Sequence, residues 1–218
     1  MRLLSILAWA VLTTAHIEMT YPAPFRSKYN RYSTDIDDKI TDPLESDGLD
    51  FPCKGYHALM DKPQGRSVAT WQLGQTYTVS LEGHNSYKIG SCQLSLSYNK
   101  GRNWTAIQSY IGGCPLKPHW QFTLPADAST GHALFAWTWF NRLGKQEMWM
   151  NCAHVTIQKS TLSPNRTSLP FHKRPKMFVA NVGNNCTTLQ NLDVQFPSPG
   201  PDVVSDSDKT AAPVGDCM

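Results

Sequence analysis

The clearest chemical feature of this sequence is a histidine at the point where a mature chain would begin. Met1 and Arg2 form a short basic segment, residues 3–12 are predominantly apolar, and Ala15 is a small residue. This order is typical of a secretory signal peptide, predicted here over residues 1–15, and it is too short for a membrane helix. Cleavage after Ala15 would make His16 the first residue. Its α-amino nitrogen and its imidazole Nδ1 could then chelate one metal ion, and such nitrogen ligands suit Cu(II).

One more histidine would complete a three-nitrogen ligand set, and the residues alone leave more than one candidate. His84 lies in a loop rich in Gly, Asn and Ser that follows a strand-like segment. His154 lies two residues after Cys152 on another such segment and is the rival candidate. We expect the remaining histidines to be surface or hydrogen-bonding residues: His57, His119, His132 and His172. A terminal histidine that binds no metal is the alternative that the His16 pattern by itself leaves open.

Composition sets the class of protein and excludes some partners. The chain has 218 residues, with 40% hydrophobic and 17% charged residues, which is a globular balance. Its formal net charge is +3, too small a surplus to argue for nucleic-acid binding. No internal apolar run reaches the roughly 18 residues of a membrane span, so we expect no membrane partner. Six cysteines in a secreted chain predict a few disulfides.

The spacing of short strand-like segments predicts an all-β fold, a β-sandwich with long loops. The segments alternate or are rich in β-formers, and Gly, Pro, Asn and Asp clusters separate them; they cover residues 76–81, 92–98, 120–124, 133–140 and 148–157. Residues 22–50 predict a long loop. The predicted organisation is a signal peptide at 1–15, one domain at 16–201 and a Pro/Ser/Asp-rich tail at 202–218.

Several short motifs, in this order, carry a resemblance to a known family. They are His16 to Met19, Pro22 to Ser27, Phe51 to Lys54, Gly90 to Leu96, Gly112 to Pro115, Ala136 to Asn141, Glu147 to Ala153, Met177 to Asn181 and Asp193 to Pro199. The chain resembles the fungal lytic polysaccharide monooxygenases of auxiliary activity family 11 over most of residues 16–201. The resemblance implies a chitin-active copper enzyme with an immunoglobulin-like β-sandwich.

The resemblance also implies roles for four residues. His16 and His84 would bind one copper ion as a histidine brace, which makes them the expected metal and cofactor ligands. Trp149 stands where the family usually has a tyrosine beside the copper, and an indole offers an N–H donor but no oxygen. Glu147 lies two residues earlier, so in a strand it would face the same side as Trp149. The family position makes Glu147 an acid beside the copper, and Glu147 and Trp149 are therefore the expected catalytic residues.

The family also guides the expected covalent features. The expected disulfides are Cys53 with Cys152, Cys92 with Cys114, and Cys186 with Cys217. Glycosylation sequons occur at Asn103 and Asn165. A third sequon at Asn185 includes Cys186, and a disulfide at that cysteine argues against its use.

The implied function is oxidative cleavage of chitin or a related β-1,4-linked glycan, at C1, at C4 or at both. It would need an external electron donor and oxygen or hydrogen peroxide, and we expect a secreted monomer that acts on an insoluble polysaccharide. Two alternatives stay open: a histidine-brace copper-binding protein without catalysis, which Trp149 favours, and a cell-wall binding module without metal. A hydrolase would need a pair of placed carboxylates at a sugar cleft, and the sequence indicates no such pair.

Overall fold

A computed structural model describes residues 16–84, 89–160 and 169–217 of the chain. The predicted signal peptide (1–15) and the predicted glycosylation site Asn165 lie outside the described residues. The described ranges form short 3-10 helices and thirteen strands. The 3-10 helices span Cys53–Asp61, Pro63–Gly65 and Phe171–Lys173. No helix within these ranges is long and apolar enough to cross a membrane.

The strands form two main sheets and two small ribbons. Their bounds are β1 His16–Tyr21, β2 Ala69–Gln72, β3 Thr76–His84, β4 Gly90–Ser97, β5 Thr105–Cys114, β6 His119–Thr123, β7 Gly131–Asn141, β8 Met148–Gln158, β9 Cys186–Thr187, β10 Asp193–Val194, β11 Val203–Ser205, β12 Thr210–Ala211 and β13 Val214–Gly215. A three-stranded sheet has the order β1-β3-β6, and a six-stranded sheet has the order β11-β5-β4-β7-β8-β2. The two sheets pack as an immunoglobulin-like β-sandwich, which confirms the predicted fold class.

The central strands of the larger sheet are buried on both faces. On β7, Phe135, Trp137 and Trp139 point into a core between the two sheets. The alternate residues of β7, among them Leu134 and Phe140, point into a second core on the outer face. Because both faces are apolar, such strands give continuous hydrophobic runs, and this is why β7 and β8 are prominent in the sequence.

The predicted loop at residues 22–50 forms turns and bends that cover this second core. Phe25 and Leu44 contribute apolar side chains to it. The loop is joined to β8 by backbone hydrogen bonds, from Phe25 N–H to the Cys152 carbonyl at 3.0 Å and from Leu44 N–H to the Met148 carbonyl at 2.8 Å. The loop therefore lies along the first half of β8, the half that carries Trp149.

Three disulfides link distant parts of the chain, and they are the three expected pairs: Cys53–Cys152, Cys92–Cys114 and Cys186–Cys217. No cysteine among the described residues is free. The first pair attaches the 3-10 helix at Cys53–Asp61 to β8. The second pair joins β4 to the end of β5, and the third returns the C-terminal segment to β9.

The segment at 202–217, predicted as a tail, pairs with the body of the domain. β11 pairs in parallel with β5, β12 pairs with β10, and β13 pairs with β9. The buried Arg174 guanidinium also binds the Asp202 carboxylate at 2.7 Å. Pro, Ser and Asp lower the strand tendency of this segment, so its composition indicates a tail even though its backbone joins three neighbouring strands.

Asn151 joins the two sheets at β1. The Met19 N–H donates to Asn151 Oδ1 at 2.8 Å, and Asn151 Nδ2 donates to the Ile40 carbonyl at 3.3 Å. Asn151 is only 4% exposed, so water cannot replace it at either group. One side chain of β8 therefore positions both the first strand and the long loop.

We predict that Asn151→Ala destabilises the fold by about 1–3 kcal/mol, because it leaves a buried N–H and a buried C=O without partners. Chemical denaturation followed by circular dichroism measures the loss. Asn184→Ala is the matched control, since exposed Asn184 donates to the Val179 carbonyl at 2.9 Å and water can take its place. Equal losses in the two variants would contradict the role given to Asn151.

Candidate metal site at the paired histidines

The two expected metal ligands lie opposite each other in the smaller sheet. β1 and β3 are antiparallel, and their register pairs His16 with His84, Ile17 with Gly83 and Glu18 with Glu82. Opposed residues in such a ladder have Cα atoms about 4.5–5.5 Å apart. The backbone thus brings together two residues that are 68 positions apart in the chain. His154, the rival candidate, lies on the other sheet.

The register of β1 is fixed by what its alternate residues bury. Ile17 and Met19 are 3% and 0% exposed and pack in the core between the sheets. Val79 and Leu81 of β3 pack in the same core. A slip of one residue would turn these side chains toward the opposite face, so burial excludes that slip. The hydrogen bond from the Met19 N–H to Asn151 fixes the position of β1 along its own direction.

Gly83 shapes the end of β3 directly before His84. Its φ is 148°, a backbone conformation that residues with a Cβ rarely adopt. A glycine at this position therefore allows the strand to reach the position opposite His16 without strain.

A buried carboxylate lies next along the ladder from the histidine pair. Glu18 is 5% exposed, and its Oε2 accepts a hydrogen bond from Ser27 Oγ at 2.9 Å. Lys28 Nζ lies 3.9 Å from Glu18 Oε1. Burial raises the pKa of Glu18, Ser27 and Lys28 act in the opposite direction, and the negative charge of Glu82 adds to the rise. Ser27 and Lys28 thereby attach the start of the long loop to the strand that begins with His16.

Tyr29 extends this attachment to β3. Lys28 Nζ lies 4.9 Å from the centre of the Tyr29 ring. Burial raises the pKa of the Tyr29 hydroxyl, and a hydrogen bond to Glu82 acts in the same direction. The loop is therefore held to both strands that carry the paired histidines.

Glu18 and Glu82 are a carboxylate pair that the sequence did not indicate. Glycoside hydrolysis needs two carboxyl groups that flank a bound glycosidic bond. Glu18 is buried and engaged by Ser27 and Lys28, so it cannot reach a sugar. The arrangement fits a structural role better than a hydrolytic one.

Trp149 lies in the core between the sheets, on the face of β8 that looks toward β1 and β3. It is 2% exposed, and its ring lies 4.2 Å from that of Trp139. Its Nε1–H donates to the Thr41 carbonyl at 3.0 Å. The long loop thus supplies the acceptor for the indole N–H, and the aromatic face is held by Trp139.

Glu147 is half-buried just before β8 begins. Its backbone N–H donates to Asn141 Oδ1 at 2.9 Å, and its carbonyl accepts from Asn181 Nδ2 at 3.3 Å. These two bonds fix the backbone on both sides of the side chain. Glu147 therefore lies outside the strand, one residue before β8 begins.

An open pocket of about 250 Å³ borders the ladder next to the histidine pair. It is lined by Ile17, Leu81, Glu82, Gly83 and the loop 115–118. Leu116 of this loop is 58% exposed. The pocket is a shallow surface feature that cannot enclose a polysaccharide chain. In the described part of the chain, no group of three or more His, Cys, Asp or Glu side chains lies close enough together to hold a metal ion.

The sequence predicted the histidines, Glu147 and Trp149 but not the residues that hold them. Glu18, Ser27, Tyr29 and Asn151 came from the structure. The polar–apolar alternation of residues 16–19 could have indicated a strand and a polar partner for Glu18. Nothing in the sequence indicates that Ser27 or Tyr29 would meet it, because both lie in a segment without periodicity.

Comparison with known proteins gives a consistent set of relatives. The chain is 44% identical over 189 residues to AA11 family lytic polysaccharide monooxygenase A of Aspergillus fumigatus, covering 86% of this chain and 84% of the relative. It is 35% identical over 216 residues to AA11 family lytic polysaccharide monooxygenase B of the same species, covering 87% of this chain but 49% of that relative. No family model matches the chain. Among solved structures, HiLPMO9B has a TM-score of 0.46 at 14% identity, over 60% of this chain and 66% of that one.

We predict that Trp149→Phe lowers the free energy of unfolding by about 1–3 kcal/mol, because the Thr41 carbonyl loses its donor and the smaller ring leaves a void. Trp120→Phe is the matched control: Trp120 Nε1 donates to the carbonyl of exposed Lys117 at 2.8 Å, where water can substitute. Urea denaturation compares the two. A Trp149→Phe variant no less stable than Trp120→Phe would show that the Thr41 contact does not hold the indole.

Proposed function

We propose that this chain, which belongs to the AA11 family of lytic polysaccharide monooxygenases, is a secreted copper-dependent enzyme that cleaves chitin oxidatively through a histidine brace formed by His16 and His84. The observation that carries the proposal is the antiparallel register that pairs these two residues. Family membership supports the reaction class, and the register supports the site.

The donor set fits copper. Two imidazoles on opposed strand positions and one α-amino group offer three nitrogens, and nitrogen ligands in a planar or tetragonal arrangement suit Cu(II). The amine must lose its proton to bind, and its free pKa of roughly 7.7–8.0 makes this possible near neutral pH. The amine exists only after cleavage following Ala15, so removal of the predicted signal peptide is part of the proposal.

Copper, when bound, would supply the one-electron chemistry that lets oxygen or hydrogen peroxide attack a sugar C–H bond, with electrons from an external reductant. The chain would supply the surroundings. Trp149 offers no oxygen ligand, so its part is to present a buried aromatic wall, held by the Thr41 carbonyl. Asn151 holds β1 against β8 through the Met19 N–H, which keeps the start of β1 in place.

Glu147 would hold or transfer a proton at the site. A carboxyl group suits this task when its position is fixed, since proton transfer requires hydrogen-bond reach. The hydrogen bonds of the Glu147 backbone with Asn141 and Asn181 fix the main chain from which its side chain extends. We therefore keep Glu147 and Trp149 as the proposed catalytic residues.

An insoluble substrate fits the surface beside the histidine pair. The neighbouring pocket is open and small, so a glycan would lie across this face. An internal part of the polysaccharide could therefore reach the site without a free chain end. Chitin is the proposed substrate, with oxidation at C1, at C4 or at both. The mature protein would act as a secreted monomer, and exposed Asn103 is a proposed glycosylation site together with Asn165.

We predict that copper-loaded protein beginning at His16, given β-chitin, ascorbate and hydrogen peroxide, releases oxidised chito-oligosaccharides detectable by mass spectrometry. Product formation should fall at least about a hundredfold in His84→Ala, because a metal ligand is lost. A chain with one extra residue before His16 keeps both imidazoles but moves the amine, and it should be equally inactive. Oxidised products at wild-type levels from both variants would contradict the proposed brace.

The absence of an oxygen at Trp149 favours a second candidate, a histidine-brace copper protein without oxidative catalysis. The same experiment separates the two functions. Tight copper binding that depends on His84, with no oxidised product from chitin, would support the copper-binding role. Trp149→Tyr would then test whether the indole is what prevents turnover.

A further inference from the structure

Two histidines outside the proposed copper site are hydrogen-bonded to each other. His132 on β7 and His154 on β8 have His132 Nδ1 and His154 Nε2 2.9 Å apart. Their ring centres are 4.9 Å apart with a 60° angle between the planes. His154 lies five residues after Trp149, an odd number, so in a strand it faces away from the core between the sheets. The proposed brace makes no use of this pair.

The hydrogen bonds define which nitrogen of His154 carries its proton. His154 Nδ1 lies 2.7 Å from the Gly65 carbonyl, which can only accept, so Nδ1 carries the hydrogen. The Nε2 of a neutral His154 therefore has a free electron pair directed at His132. Burial lowers the pKa of His154, and the neighbouring His132 lowers it further. The hydrogen bond to Gly65 and the charge of Asp61 act to raise it. His154 is thus neutral at neutral pH, with Nε2 as an electron-pair donor.

We propose that His132 Nδ1 and His154 Nε2 form a second, solvent-accessible binding site for a divalent transition-metal ion of the Cu(II) and Zn(II) class. Protein histidines that bind metals usually donate their other ring N–H to a carbonyl or carboxylate, as His154 does to Gly65. Two nitrogens at about 2.0–2.1 Å from a metal are about 2.9 Å apart in the tetragonal geometry of Cu(II) and about 3.3 Å apart in the tetrahedral geometry of Zn(II). The observed 2.9 Å between His132 Nδ1 and His154 Nε2 matches the first geometry, and a small outward turn of the His132 ring gives the second.

The bound ion would replace the hydrogen bond between the rings. His132 would move its hydrogen from Nδ1 to Nε2, so a neutral pair loses no proton when the metal enters. His132 is exposed, and the broad torsional preference of a histidine ring lets it turn until both electron pairs meet at the metal. Water would fill the remaining positions. Asp61 adds negative charge to this end of the sheet, although Lys100 pairs with it.

Imidazole nitrogen NMR on the mature full-length chain tests this site with Zn(II) as the probe. We expect the Nδ1 resonance of His132 and the Nε2 resonance of His154 to shift together as Zn(II) is added. In His132→Asn the shift at His154 should be lost, with Zn(II) affinity there reduced at least about tenfold. His119→Asn, which removes another exposed histidine, should leave both shifts unchanged.

The outcome does not depend on the brace, because the signals belong to His132 and His154 themselves. Unchanged resonances of both rings in the folded wild-type chain under excess Zn(II) would overturn the proposal, as would equal shifts in His132→Asn. The wild-type measurement also stands alone if the His132→Asn variant fails to fold.

Discussion

The proposed copper site depends on one constraint, the register of β1 against β3. It pairs His16 with His84, and nothing else described in the chain brings these two residues together. The register is held by burial of Ile17 and Met19 and by the hydrogen bond from the Met19 N–H to Asn151. A shift of one position would turn the buried side chains of β1 outward, so the sandwich core and the proposed metal site are selected by the same packing.

The larger sheet and the long loop at residues 22–50 both hold β1 in this register. β8 contributes Asn151 and Trp149 to the face that meets β1 and β3, while its alternate residues bind the loop through the second core. The same loop returns to the site: Ser27 and Lys28 engage Glu18, and the Thr41 carbonyl accepts the Trp149 N–H. A single irregular segment therefore connects the terminal strand with the buried Trp149.

Sequence reasoning succeeded where a residue carries its own signal. The bulky residues of β7 and β8 indicated strands, and the structure confirms both. The register of β1 could not be predicted from the sequence, because alternation shows which face of a strand a residue occupies but not which strand pairs with β1. The Thr41 and Ser27 contacts were also invisible, since they come from a loop without periodicity. The C-terminal segment resembles a tail in composition, although its backbone pairs with β5, β10 and β9.

Electron paramagnetic resonance tests whether the β1–β3 register builds one copper site from His16 and His84. The sample is the chain beginning at His16, carrying one equivalent of Cu(II), with His84→Ala prepared in parallel. We expect an axial type-2 signal with hyperfine splitting from three nitrogens in the wild type, and fewer coupled nitrogens in His84→Ala. The same nitrogen splitting in both samples would contradict it, because His84 would then not be a ligand.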